Sequence, residues 1–402
     1  MLFDASRHEP LVSSVWDQGR VQEKVEEIAE DCRRTFSPDN LWPIHPNDVS
    51  PERAPTLKPL YYGAAGVIWS LDYLYRQGGI GPADGLSDVL PQLLVAHRED
   101  CLAVNGEPVL GLQVGDAGIL LLQHHLSPSA QVADELYQVV EQNADHPARG
   151  FVWGGAGSAM AALIMWERTE DERWRDLFLD LIERLWRDWD YAPDVNGYLW
   201  TIDLYGRRSR MMSALHGLPG IVFPMLHGFE LLAEERQHDL VERTEQVVRN
   251  TAIREGGMVN WPLAIGPTTI PDADVLRLQH CIGAPGIVNS FATTMAGDAL
   301  EDVLVAAGEL IWQAGPLTKL PSLCHGVPGN GFAFLKLFQR TGDQEWLDRA
   351  RQFAMHAIAQ NEKFTSQFGM RKYSLWTGDA GLMLYLWACI RGSSDIPVMD
   401  VF

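Results

Sequence analysis

Cys281, Cys324 and His325 are the residues of this chain whose types and spacing best suit chemistry. Cys281 stands two residues before the first glycine of Gly283-Ala-Pro-Gly286. Cys324 stands two residues before the first glycine of Gly326-Val-Pro-Gly329, and His325 one residue before it. Equivalent positions in a ring of repeats point at one centre. Two thiolates and an imidazole meeting there leave the fourth position of a tetrahedral zinc open, which marks a catalytic rather than a structural site. Singly, none of the three carries this reading. A lone cysteine in a helical protein is more often packing, and an adjacent Cys-His pair is not a familiar zinc spacing. Their shared register makes the difference.

His216 has the same phase, one residue before Gly217. Three roles stay open for it: a hydrogen-bonded core histidine, a fourth ligand, or a general acid or base with an ordinary pKa near 6.5. Arg277, four residues before Cys281, reads either as an exposed loop charge or as a planar donor fork for an anionic substrate or a developing enolate. His280 adjoins Cys281 in a less favourable register. Asp116 and Asp379, inside Gly-Asp-Ala-Gly elements, read as helix N-terminal caps ahead of acid/base groups. The arginines of Tyr205-Gly-Arg-Arg-Ser-Arg210 read as a solvated loop ahead of a rim for an acidic ligand.

The elements that must position these residues come from a repeat. Seven Gly-x-x-Gly elements begin at Gly63, Gly115, Gly154, Gly217, Gly283, Gly326 and Gly378, 39 to 66 residues apart, each followed by an apolar run. Each interval holds two ordinary helices. From Asp171 to Asp190 the apolar residues Trp174, Leu177, Phe178, Leu181, Ile182, Leu185 and Trp186 follow the rhythm of one buried helical face. Glu345 to Gln360 reads the same way. The runs after the glycines, such as Gly118-Ile-Leu-Leu-Leu, are apolar all round and predict buried helices. Buried and amphipathic helices therefore alternate, and a double ring satisfies both. The glycines allow tight turns and close backbone approach.

Strand signals are weak, with short hairpins expected near Gly197 to Asp203. The proline-rich stretches Ser37 to Pro59 and Gly266 to Pro271 read as loops within the ring. The whole chain, 1–402, reads as one domain, with residues 1–57 supplying a helix at Gln18 to Thr35 and a loop into the first repeat.

The 402 residues are 46% hydrophobic and 21% charged, the composition of an ordinary soluble protein. A net charge of −21 disfavours nucleic acid and anionic membrane surfaces as partners. No apolar run is long enough for a membrane span, and the start lacks the pattern of a signal peptide. A cytoplasmic location is the expectation. The five scattered cysteines suit a reducing compartment, with Cys32, Cys101 and Cys389 as buried, inert thiols.

The glycine elements, Leu215-His-Gly-Leu-Pro-Gly220, Arg277-x-x-x-Cys281-x-Gly and Cys324-His-Gly-x-x-Gly329 together resemble the lanthionine synthetase C-like family from Tyr61 to Cys389. The resemblance implies an all-α fold, an α/α toroid of seven inner and seven outer helices, with one Zn2+ held by Cys281, Cys324 and His325. It implies His216 as the catalytic histidine and Arg277 as the active-site arginine. The implied activity is zinc-dependent addition of a thiol, from a peptide cysteine or glutathione, to a dehydroamino-acid peptide, forming a thioether. Two departures stand out. The family's usual acid four positions before the third element is Gly150 here, and the usual tryptophan before the first zinc cysteine is His280. Gly150 leaves room for an alternative, a non-catalytic zinc-containing binder of glutathione or thiol peptides. A glycan hydrolase would need Asp116 and Asp379 as its opposed carboxylates.

Overall fold

The computed structural model describes residues 1–49, 56–82, 85–295 and 297–402. Residues 50–55, within the expected Ser37 to Pro59 loop, lie outside them. Among the described residues there are fourteen α-helices and seven strands of two to five residues. One helix follows each glycine element: α2 (Ala64–Arg76), α4 (Asp116–Leu126), α6 (Gly155–Thr169), α8 (Leu218–His227), α10 (Ala284–Phe291), α12 (Val327–Thr341) and α14 (Asp379–Arg391). Seven others alternate with them: α1 (Gln18–Thr35), α3 (Leu90–Asn105), α5 (Ala130–Gln142), α7 (Glu172–Arg187), α9 (Glu234–Thr251), α11 (Glu301–Ala314) and α13 (Gln344–Phe368).

The two helix classes differ in burial as their patterns require. From Ala64 to Leu71 every residue of α2 is buried, and so is every residue of α10. In α7 the buried set is Trp174, Leu177, Phe178, Leu181, Ile182, Leu185 and Trp186, one face of an amphipathic helix whose N-cap is Asp171. Each of these side chains contributes roughly 1.5–3 kcal/mol through burial. Helix α13 runs eight residues past the expected end at Gln360 and stops where Gly369 adopts φ 68°.

Packing divides the chain into two compact units. In the first (1–8, 137–315, 336–342), α6 packs on α7 and α8, and α8 on α9 and α10. Short antiparallel hairpins occupy its loops. Strands β1 (Asp190–Ala192) and β2 (Gly197–Leu199) pair, as do β3 (Ile202–Leu204) and β4 (Arg207–Met211). In this hairpin Arg210 pairs with Asp194, at 2.8 Å, and Arg207 and Arg208 are exposed, in keeping with a solvated loop. In the second unit (9–136, 316–335, 343–402), α14 packs on α2 and α2 on α4, which makes the last glycine element a neighbour of the first.

The glycine elements work through backbone approach. A Cβ on Gly118 would lie 2.1 Å from the carbonyl oxygen of Leu112, and one on Gly381 2.1 Å from that of Leu375. The chain folds back so that the first helical N–H groups donate to carbonyls seven residues earlier: Asp116 to Val109, Ala156 to Arg149, Asp379 to Lys372. Those donors need no side-chain cap. This corrects the expectation for Asp116 and Asp379. The N-caps are Gly115 and Gly378, and each aspartate is the first helical residue. Asp116 instead pairs with Arg98 at 2.6 Å, and Asp379 with Arg371 at 3.4 Å. Burial pushes both carboxyls up in pKa, with the arginines opposing. Asp116 ties α4 to α3 and Asp379 ties α14 to the loop before it, which removes the opposed pair a glycan hydrolase would need.

The same region gives a pH prediction. His97 is 4% exposed, and burial, helped by Lys58, holds its pKa down to about 4. Asp100 opposes this, Arg98 adds to it, and the value stays low. Because the folded value lies below the unfolded one near 6.5, protonation favours unfolding. The contribution is whole above about pH 6.5 and is lost as pH falls toward about 4, up to about 2 kcal/mol of it between pH 7 and 5. Urea unfolding at both pH values checks this. Wild type should lose more stability than His97→Gln, and equal losses would contradict the assignment.

Candidate active site and metal centre

The fold-back that caps each inner helix also fixes the residues just before each glycine. Two positions before it, backbone hydrogen bonds join several repeats to the next. Cys324 N–H donates to Trp376 O, Trp376 N–H to Tyr61 O, and Tyr61 N–H to Gln113 O. Val152 N–H donates to Leu215 O in the same way. The register inferred from sequence is thus a physical one. One position before the glycines, Tyr62, His325 and Thr377 line a single cavity.

Cys281 sits in a tight turn in which Gln279 and Ile282 exchange both backbone hydrogen bonds, at 3.0 and 2.9 Å. Gly283, with φ 92°, closes it. A Cβ there would stand 2.0 Å from the carbonyl oxygen of Arg277, so the loop from Arg277 to Gly283 admits only glycine. The buried Gln279 amide donates to the Cys281 sulfur at 3.0 Å. Asn260 holds the loop from beneath, donating to the Arg277 carbonyl at 3.3 Å and accepting from Ala284 N–H at 2.7 Å.

The sulfurs of Cys281 and Cys324 and one ring nitrogen of His325 all lie within 4.8 Å of one another. Both cysteines are buried, and none of the five cysteines forms a disulfide. The Cys324 sulfur is 3.4 Å from His325 Nε2. Zinc bonds of about 2.3 Å to sulfur and 2.0–2.1 Å to nitrogen give a tetrahedral edge of about 3.6 Å, so this pair already has nearly the spacing zinc requires. Two soft thiolates with an imidazole are a zinc donor set. The residues fit the metal.

His280 does not join the cluster. Its Nδ1 accepts from Asn289 Nδ2 at 2.9 Å, deep in the core. His216 is half-buried, with its backbone N–H held by Ser213 Oγ at 3.1 Å. Arg277 is mostly buried and lies 3.7 Å from the exposed Asp272 carboxylate, a loose pairing. Sequence reasoning missed Gln279, Ser213 and Asn260. Each acts through a neighbour's backbone or sulfur, and no spacing rule marks such residues.

Gly150 has a steric cause. A Cβ there would lie 2.7 Å from His216 Cα and 2.9 Å from the carbonyl oxygens of Leu215 and His216. The histidine's own backbone fills the space where an acid's stem would begin. Gly150→Asp should therefore displace His216 and lower the melting temperature by several degrees without adding activity. Thermal unfolding checks this, and an unchanged melting temperature with a gain in activity would refute it.

The comparisons agree with this geometry. The lanthionine synthetase C-like protein family matches residues 55–401, and the chain belongs to that family. It is similar to glutathione S-transferase LANCL1 of Danio rerio, 31% identical over 44% of this chain and 42% of the relative. It is also similar to LanC-like protein GCL1 of Arabidopsis thaliana, 32% identical over 43% of this chain and 39% of the relative. Each alignment spans less than half of the relative's own length. Nisin cyclase shares the fold at a TM-score of 0.60 and 16% identity, covering 92% of this chain and 93% of that one. Family and likeness together give the architecture, an α/α toroid. No helix among the described residues is long and apolar enough to cross a membrane.

Proposed function

We propose that this protein catalyses addition of a thiol to a dehydroamino acid, forming a thioether, at a zinc held by Cys281, Cys324 and His325. The observation that carries the reading is the clustering of those three donors with nearly zinc-like spacing. Zinc, when bound there, lowers the pKa of a substrate thiol from its usual value near 8.5, so that the thiolate is available at neutral pH. Two thiolates and a neutral imidazole already cancel the metal's charge, and a sulfur in such an electron-rich setting stays nucleophilic.

The substrate sulfur forms a bond to the β-carbon of the dehydroamino acid. The carbon–carbon π pair moves toward the α-carbon and the adjacent carbonyl oxygen. His216, held at its backbone by Ser213, delivers a proton to the α-carbon. Arg277, on the loop fixed by Asn260 and Gly283, stabilises the enolate oxygen with its guanidinium. The substrates on this reading are a cysteine peptide or glutathione as thiol donor and a dehydroamino-acid peptide as acceptor. A reducing, cytoplasmic setting suits three sulfurs that must stay unoxidised.

Mass spectrometry tests the reading. Incubation with a dehydroalanine peptide and glutathione should yield the thioether adduct faster than the uncatalysed rate, and no acceleration would refute catalysis. A second reading, a zinc-containing thiol binder without turnover, is favoured by Gly150, whose space for an acid is filled by the His216 backbone. Tight thiol binding without any adduct would select it.

A further inference from the structure

The first residues of the chain reach the loop of Cys281 through one side chain. Residues 1–8 belong to the same compact unit as that loop. Leu2 is buried, Asp4 caps a short 3-10 helix (Ala5–Arg7), and His8 Nδ1 lies 2.9 Å from the carbonyl oxygen of Gly315, the C-cap of α11. Asn260 ends β6 (Met258–Asn260), which pairs with β5 (Ile253–Glu255). Its side chain is fully buried, and all four of its hydrogen-bonding positions are used. The oxygen accepts from Trp261 N–H at 2.8 Å and from Ala284 N–H at 2.7 Å. The amide nitrogen donates to the Leu2 carbonyl at 2.7 Å and to the Arg277 carbonyl at 3.3 Å. Gly283 makes room for this contact too, since a Cβ there would lie 2.8 Å from Asn260 Oδ1.

The two bonds from the amide nitrogen are unequal. The short one to Leu2 fixes the amide plane, and the longer one to Arg277 depends on that plane being held. Without the Leu2 carbonyl a buried donor loses its partner, a penalty that favours turning the amide or admitting water. Either change releases the Arg277 carbonyl, and the loop from Arg277 to Gly283 presents both the Cys281 sulfur and the Arg277 guanidinium. The paired bonds between Gln279 and Ile282 shape that loop from within; Asn260 is what fastens it to the hairpin and to α10. We infer that Leu2 and Asn260 are positioning residues, and that the N-terminal segment is a clasp which, through Asn260, sets where Cys281 and Arg277 stand. The consequence for turnover rests on the thiol-addition reading, whereas the placement of the loop does not.

Cysteine alkylation reads this placement independently of the addition chemistry. The full chain, treated with a chelator, is exposed to iodoacetamide, and the modification rate of each cysteine is followed by peptide mass spectrometry. Leu2→Asp puts a carboxylate where an apolar side chain is buried, so the segment leaves and takes its carbonyl with it. Cys281, 6% exposed while the loop is clasped, should then react at least tenfold faster. Cys324, Cys32 and Cys389, all buried, should keep their wild-type rates. Asn260→Asp keeps an acceptor for Trp261 and Ala284 but sets a second oxygen against the two carbonyls, and should give the same pattern. Thioether formation should fall about tenfold in both variants. Unchanged Cys281 reactivity in either variant, parallel acceleration of all four cysteines, or adduct formation at the wild-type rate would overturn the inference. A wild type that forms no adduct, with the alkylation pattern as expected, would instead sink the catalytic reading alone.

Discussion

His216→Ala lowers the rate of thioether formation by about 10²- to 10⁴-fold while leaving the metal in place. That range is the usual worth of a positioned proton donor. The expectation rests on separation of roles: His216 precedes a different glycine element from either cysteine and is not among the clustered donors. Its loss removes a proton source without removing a ligand. The check is the initial rate of adduct formation, with zinc measured in the same preparation. A variant that loses zinc along with activity would make His216 a ligand instead. A variant with wild-type rate would leave the proton to another group. His216→Gln keeps bulk beside Gly150, whose missing side chain makes room for the His216 backbone, and should be as slow as the alanine variant.

Cys324→Ala has the larger effect. It removes one of three donors from a site whose open position leaves no protein ligand in reserve, so the variant should hold no zinc and form no adduct above background. The fold should persist. Cys324 donates its backbone N–H to the Trp376 carbonyl, a bond alanine retains, and α2, α4, α6 and α14 are capped by backbone carbonyls rather than by the metal. Loss of zinc with near-native helical circular dichroism is the expected pair of results. Retention of stoichiometric zinc by Cys324→Ala would show that the metal sits elsewhere.

Much of this was legible in the chain. The seven glycine elements marked the seven inner helices, and the face of α7 was read residue by residue from its apolar spacing. The same register pointed to Cys281, Cys324 and His325, whose ligand atoms lie together. Other features were not legible, for physical reasons. The role of Asp116 and Asp379 depended on carbonyls seven residues upstream that satisfy the helix N-termini, and only a fold-back reveals those. Gly150 looked like a lost acid, whereas its cause is the approach of the His216 backbone from sixty-six residues away. The Asp48–Lys372 pair joins residues 324 positions apart in stretches with no periodic signal. Spacing reports what repeats; it is silent on single long-range contacts.

Zinc-edge X-ray absorption on the purified protein examines the donor set itself. Two sulfurs and one protein nitrogen at a single zinc per chain is the result required here. A protein without zinc, or a shell of nitrogen and oxygen alone, would contradict it.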